Sequence, residues 1–370
     1  MRQFAVVFRI RLNAAGKLGF ASRGSCALRR AERCVFEGVS DHEECIDAKA
    51  GDILDIAVAH GPDEWSWGAR IDSAANAGWE LMNLHLPRVQ ARLREPTGPP
   101  LKIFTDARDP IRTVISIYSM ILNGYSPSEV DIYGDYQWTS FAQSVLAPFL
   151  PFATVIPLED IRSQISEVAP SELADVARDN YLVMKCCLTL LCDPPEFCMM
   201  DDDLFILRSV AGAQELFRNH DFVFVPEIDN ASHYRPIWSD VFPDVPLTRT
   251  ARLNGALCWL RMRKDRKAAA DLMLRGLGKL AGLSKVEATW SWEQGFYAHL
   301  FANDAVLELP RELYWYPFFC GLPGGMLGYD YASNPCGFTM IHFGGDVEKP
   351  TDREALQLMP QILGQGAPDQ

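Results

Sequence analysis

The sequence contains no CxxC pair and no cysteine–histidine cluster at zinc-binding spacing, although it holds ten cysteines, several of them in apolar runs. A structural zinc module is therefore excluded, and buried free thiols in a reducing, cytoplasmic setting are the simplest account. There is no surplus of positive charge either. A formal net charge of −13 argues against general affinity for nucleic acid or anionic membrane, while leaving room for a local basic groove. No stretch approaches the ~20 apolar residues that cross a bilayer. The opening Met-Arg-Gln-Phe-Ala-Val-Val-Phe-Arg-Ile-Arg-Leu breaks its apolar residues with arginines, unlike the core of a signal peptide. Repeats and low-complexity tracts are absent too. What remains is an ordinary globular composition, 48% hydrophobic and 22% charged over 370 residues, enough for one large domain with an appendage.

The pattern divides the chain at the turn-rich Arg-Glu-Pro-Thr-Gly-Pro-Pro, residues 94 to 100. Before it, Phe4–Leu12 and Ile53–Ala59 read as strands and 72–95 as helical. After it, strands are expected at 101–104, 130–133 and 153–157, with helices at 111–122 and 139–149 and a long one at 171–192. Asp109-Pro110 offers a cap and a first-turn proline, and Gly124 a stop. Further strands are expected at 222–225, 253–260 and 338–343, with a basic helix at 261–282 and an aromatic one at 289–301. Alternation of this kind implies an α/β domain built on a mostly parallel sheet flanked by helices, with a small N-terminal α+β extension.

One stretch carries the chemistry. Phe197-Cys-Met-Met runs straight into Asp201-Asp202-Asp203, followed by Leu-Phe-Ile-Leu. The apolar run fits a strand buried on both faces, and its terminal carboxylates must meet water, basic groups or a cation at the sheet edge. Alternate strand residues share a face, so Asp201 and Asp203 pair and Asp202 points away. Two carboxylates on one face suit a hard divalent cation holding a diphosphate; a solvated acidic turn is the alternative. Ligands of such sheets bind beyond the carboxyl ends of the strands, which places Thr105 and Asp106 at the same edge.

These residues, with several that follow, resemble the GT-A glycosyltransferases, and among them the retaining glycogenin-type enzymes, over roughly residues 101–350. The resemblance implies a GT-A, Rossmann-like fold, with 1–98 an accessory region and 351–370 a tail. It implies that Asp201 and Asp203 hold Mn2+ or Mg2+ on a nucleotide-sugar donor, in that family a UDP-sugar. Lys185, sixteen positions earlier, matches a basic residue that reaches the donor, and Asn254 matches the asparagine of a Phe-Asn-small-Gly strand. Glu293-Gln294 is similar to an Asp-Gln pair that binds the donor sugar, and Leu309-Pro310 to the Leu-Pro that follows it. His342-Phe-Gly-Gly345-Asp-Val-Glu-Lys349-Pro350 is similar to a motif whose histidine ligates the metal and whose lysine meets the leaving phosphate. Here one extra residue separates Gly345 from Lys349, and Thr351 replaces a tryptophan. On this reading Lys185, Glu293, Gln294 and Lys349 are catalytic. Thr105, Asp106, Lys185, Asp202, Asn254, Gly345 and Lys349 bind the donor, and Asp201, Asp203 and His342 bind the metal.

Each residue also has a plainer account: His342 as a core histidine, Lys185 as a snorkelling side chain, Lys349 as surface, Asn254-Gly255 as a turn. Trp290, Trp292, Phe296 and Tyr297 have one as core aromatics. Within the class, Glu293 as base would make transfer inverting. A nucleotide-sugar-binding scaffold without turnover is the rival from another class. A nucleotidyltransferase is disfavoured because Thr-Asp-Ala-Arg-Asp-Pro is not a glycine-rich basic loop. The aromatic-rich segments 226–252 and 314–336 suit stacking on sugar rings, so a glycan or another hydroxyl-bearing acceptor is expected, with peptide, lipid-linked and nucleobase acceptors open as well. The N-terminal hundred residues are open to acceptor recognition or to self-association as a homo-oligomer.

Overall fold

A computed structural model describes the backbone of six strands between residues 4 and 59. It describes 82–105, 110–134, 146–192, 195–226, 252–278, 292–310 and 339–343 with their side chains, and a few isolated positions between them. The first six strands are β1 (Phe4–Arg11), β2 (Gly16–Phe20), β3 (Ser25–Arg30), β4 (Arg33–Val39), β5 (Glu44–Ala48) and β6 (Ile53–Ala59). They form an antiparallel sheet in the order β1-β6-β3-β4 and a separate β2-β5 pair. The sequence signals β1 and β6. It does not signal the others, because Gly-Lys-Leu-Gly-Phe, Ser-Cys-Ala-Leu-Arg-Arg and their neighbours lack the two-residue alternation that marks a strand.

From residue 101 the chain builds β7 (Leu101–Thr105), β8 (Val130–Gly134), β9 (Thr154–Ile156), β10 (Glu196–Asp201), β12 (Phe222–Pro226), β13 (Leu253–Arg261) and β14 (Val306–Glu308). They form one seven-stranded sheet in the order β14-β12-β13-β10-β7-β8-β9. β13 runs against both its neighbours, while the remaining pairings are parallel. The protein is thus mixed α/β, with a mostly parallel sheet flanked by helices. Because β13 is reversed, its first residues lie at the edge where β7, β10 and β12 end, beside Asp201.

β10 shows why a central strand must be apolar throughout. Cys198 and Met200 enter one core with the helix Pro110–Leu122, whereas Phe197 and Met199 enter the other with the helices Tyr181–Leu191 and Trp292–Leu300. The first of those helices begins at Pro110 and stops at Gly124, whose φ of 101° only glycine adopts freely, and Tyr125 N–H reaches back to the Met120 carbonyl. The expected single helix at 171–192 is two helices, Ser171–Asp179 and Tyr181–Leu191. Asn180 separates them, because its side-chain oxygen accepts from the amides of Leu182 and Val183 and caps the second helix. The basic helix spans Arg266–Leu280, with Asp265 accepting from Ala268 N–H at its start. Helices Leu158–Val168 and Ala211–Arg218 are not among the expected elements, although the four-residue spacing of Ile161 and Ile165, and of Ala213 and Phe217, marks their buried faces. Among the described residues no helix is long and apolar enough to cross a membrane.

Trp238 locks two of these helices together. A Cβ built on Gly276 would lie 2.4 Å from Trp238 Cη2, and one on Gly295 would lie 2.0 Å from its Cδ1, so neither helix has room for a side chain there. Gly278, on the same helix as Gly276, faces nothing within 4 Å. Gly276→Ala is expected to lower stability by about 1–3 kcal/mol through overpacking. Gly278→Ala is expected to raise it by roughly 0.5–1 kcal/mol through reduced chain entropy. Urea unfolding of the two variants checks the contrast.

Candidate metal and anion site

β10 ends at Asp201, and Asp202 and Asp203 make a tight turn into β11 (Leu204–Ile206). The turn, and not strand alternation, sends Asp201 and Asp203 one way and Asp202 the other. β16 (Met340–His342) pairs antiparallel with β11, opposing His342 to Leu204, and Phe343 N–H donates to the Asp203 carbonyl at 3.0 Å. These backbone bonds seat His342 over the acidic turn. Its Nε2 lies 3.3 Å from Asp203 Oδ1 and 3.8 Å from Asp201 Oδ2. One ligand atom from each of Asp201, Asp203 and His342 falls within 4.8 Å of the others. Two carboxylates and an imidazole form a donor set that suits a divalent cation and leaves coordination positions for a ligand.

Lys185 closes the other side. It is 2% exposed, and its ammonium sits 2.6 Å from Asp201 Oδ1 and 2.9 Å from Glu293 Oε1. Burial alone would lower the Lys185 pKa, but Asp201 and Glu293 more than offset this and hold the ammonium well above the ordinary lysine range. Burial pushes the Glu293 carboxyl up, against the pull of Lys185. Glu293 opens the aromatic helix Trp292–Leu300 and faces Gly255 at the start of β13, where an added Cβ would lie 3.1 Å from Glu293 Oε1. Asn254, beside it, accepts from Ala256 N–H. Gln294 is buried, and its Oε1 has no partner among the described residues. Trp292, Phe296 and Tyr297 are wholly buried core aromatics.

The structure thus brings Asp201, Asp203, His342, Lys185 and Glu293 into one cluster with Gly255 against Glu293, and Asn254 and Gln294 adjoin these residues in sequence. Asp202 turns inward, where its carboxylate accepts from Arg112 Nη2 at 2.8 Å and from Thr105 Oγ1 at 2.7 Å. Thr105 and Asp202, both assigned to the donor from sequence, are therefore engaged with each other. Asp106, Gly345 and Lys349 lie outside the described residues. Sequence reasoning passed over Arg112 and its neighbours, though a polar stripe in an otherwise apolar helix was the available signal. Asp202 is matched by Arg112, Asp201 and Glu293 share the Lys185 ammonium, and Asp203 faces His342 on the side where a divalent cation could be held.

No protein-family model matches this chain, and no curated protein matches it. Among solved structures it is similar to an apo form of the bifunctional glycosyltransferase WbbM, at 13% identity and a TM-score of 0.46, over 72% of this chain and 50% of that one. It is similar to mouse xyloside xylosyltransferase 1 at 12% identity and a TM-score of 0.43, over 69% and 99% of the two chains. It is also similar to the galactosyltransferase LgtC, crystallised with donor and acceptor sugar analogues, at 8% identity and a TM-score of 0.45, over 73% and 97%. These likenesses are loose, and the functional reading rests on the residues of the chain itself.

Removing Lys185 would take the ammonium from the buried Glu293 carboxyl and from the partly exposed Asp201. Lys185→Met is expected to destabilise the fold by about 3–5 kcal/mol, and adding Glu293→Gln to recover part of that loss. Chemical denaturation of the single and double variants measures both.

Proposed function

We propose that the chain is a glycosyltransferase of the GT-A type, moving a sugar from a nucleoside-diphosphate sugar, a UDP-sugar on this reading, to a hydroxyl-bearing acceptor. The observation that carries it is the convergence of Asp201, Asp203 and His342 at the carboxyl edge of the sheet, with Lys185 and Glu293 alongside. Cleaving a glycosyl–phosphate bond builds negative charge on a diphosphate, and fixed positive charge is the main catalytic demand. Asp201, Asp203 and His342 hold the divalent cation, Mn2+ or Mg2+, which when bound supplies charge against that leaving group. Lys185 adds a fixed ammonium whose position is set by two carboxylates. Asn254 and Gln294, which adjoin Gly255 and Glu293 in sequence, are assigned to the donor sugar, and Asp106, which follows Thr105 in sequence, to its nucleoside. Gly345 and Lys349, which follow His342 in sequence, are assigned by the resemblance of that motif to the leaving phosphate.

Retention of anomeric configuration is the reading the site favours. Glu293 is ion-paired to Lys185 and so is poorly placed to act as a free base. Its raised proton affinity supports the second reading, an inverting transferase in which Glu293 takes the acceptor proton. Residues 1–98 are proposed as an accessory region, for acceptor recognition or for self-association.

A panel of sugar nucleotides incubated with Mn2+ should show hydrolysis of one donor, and Asp203→Ala should reduce it by more than about 100-fold. Absence of hydrolysis or transfer with every donor would leave only a binding scaffold. NMR of the product anomer separates retention from inversion. Loss of all turnover in Glu293→Gln with donor affinity intact favours the inverting route.

A further inference from the structure

The helix Pro110–Leu122 is buried almost throughout, yet one stripe of it is polar. Arg112, Thr113, Ser116 and Ser119 are each no more than 1% exposed, and Asn123 follows just past the helix end. Residues 112, 116, 119 and 123 fall on one helical face. All four grip one segment, the turn between β10 and β11 with β11 itself. Arg112 Nη2 donates to Asp202 Oδ2 at 2.8 Å. The Ser116 hydroxyl donates to the Leu204 carbonyl and stands 3.5 Å from that of Asp201. Ser119 Oγ accepts from Ile206 N–H at 3.0 Å, and Asn123 Nδ2 donates to the Ile206 carbonyl at 2.9 Å. Thr113 meets Thr105 at 2.7 Å, and Thr105 in turn donates to Asp202.

A buried guanidinium–carboxylate pair is a poor way to gain stability, because desolvation consumes most of the attraction, and apolar residues of the same size serve as well or better. What such a pair does supply is direction. Asp202 stands between the two carboxylates that face the site. Pinned to Arg112, it fixes the rotation of the turn, so that Asp201 and Asp203 both face His342. The serine and asparagine contacts fix β11, on which His342 is seated through β16. We propose that Arg112 is a positioning residue of the cation site: acting through Asp202, it sets the spacing of Asp201 and Asp203, and the polar stripe extends that control to the strand carrying His342. This depends on the cation site proposed above, and Arg112 itself is not among the proposed ligands.

Mn2+ titration followed by the electron paramagnetic resonance signal of the free ion reads the affinity directly, without turnover. Arg112→Met is expected to weaken the Mn2+ Kd by about 10–100-fold, the usual effect of losing a group that orients a ligand, and Arg112→Lys to recover part of the loss. Tyr118→Phe serves as control. It deletes a buried hydrogen bond from the same helix to the Phe149 carbonyl, at 2.7 Å, on a side away from the acidic turn. It should lower thermal stability and leave the Kd unchanged. A folded Arg112→Met protein with the wild-type Kd overturns the assignment, as does an equal loss of affinity in Tyr118→Phe. Should Arg112→Met not fold, Asp202→Asn reads the same quantity, and a wild-type Kd there overturns it. Wild-type protein that takes up no Mn2+ removes the cation site itself and this assignment with it, an outcome distinct from any comparison of variants.

Discussion

Buried carboxylates govern this molecule. Asp202, Asp203 and Glu293 are each at most 4% exposed, with Asp201 partly covered beside them. Ions withdrawn from water are tolerable only when each meets an opposite charge or a dense set of donors. The surroundings of β10 can be understood as the answer to that demand. Arg112 comes from the helix on one face of the sheet, Lys185 from the helix on the other, and His342 arrives from far along the chain to close the remaining side. The two cores meet at β10, so a cation from each can reach the tip of one strand.

Division of labour follows from the turn. Three consecutive acids serve two roles because the chain turns there: Asp202 anchors to Arg112, while Asp201 and Asp203 present ligand atoms toward His342. Lys185 sits between roles, neutralising one oxygen of Asp201 and leaving the second for the site. Glu293 depends on glycine across from it, since any side chain at 255 would press on its carboxylate. The aromatic helix bearing Glu293 is in turn held by Trp238 through the bare backbone at Gly295.

Much of the central sheet was legible in the sequence, and for definite reasons. β10 carries the uninterrupted apolar run Phe197–Met200, β7 is apolar from Leu101 to Phe104 but for Lys102, and Pro110 and Gly124 punctuate a helix at both ends. The site was legible where chemistry is concentrated in short motifs, as in the three aspartates. It was not legible where geometry comes from pairing over long distance. Nothing local in Arg112 says that it will meet Asp202 ninety positions later. Asn180 looked like one more helical residue because propensity does not show which asparagine will fold back on its own amides. The short N-terminal strands owe their pairing to partners elsewhere in the chain, and their own composition is neutral.

The seating of β16 on β11 joins segments about 140 positions apart, so its ordering entropy is met only after most of the sheet exists. The imidazole corner would then assemble late in folding and be among the first parts to open. A ligand bridging that corner to the acidic turn would act as a clasp on the chain's far end, coupling occupancy of the site to the persistence of native topology.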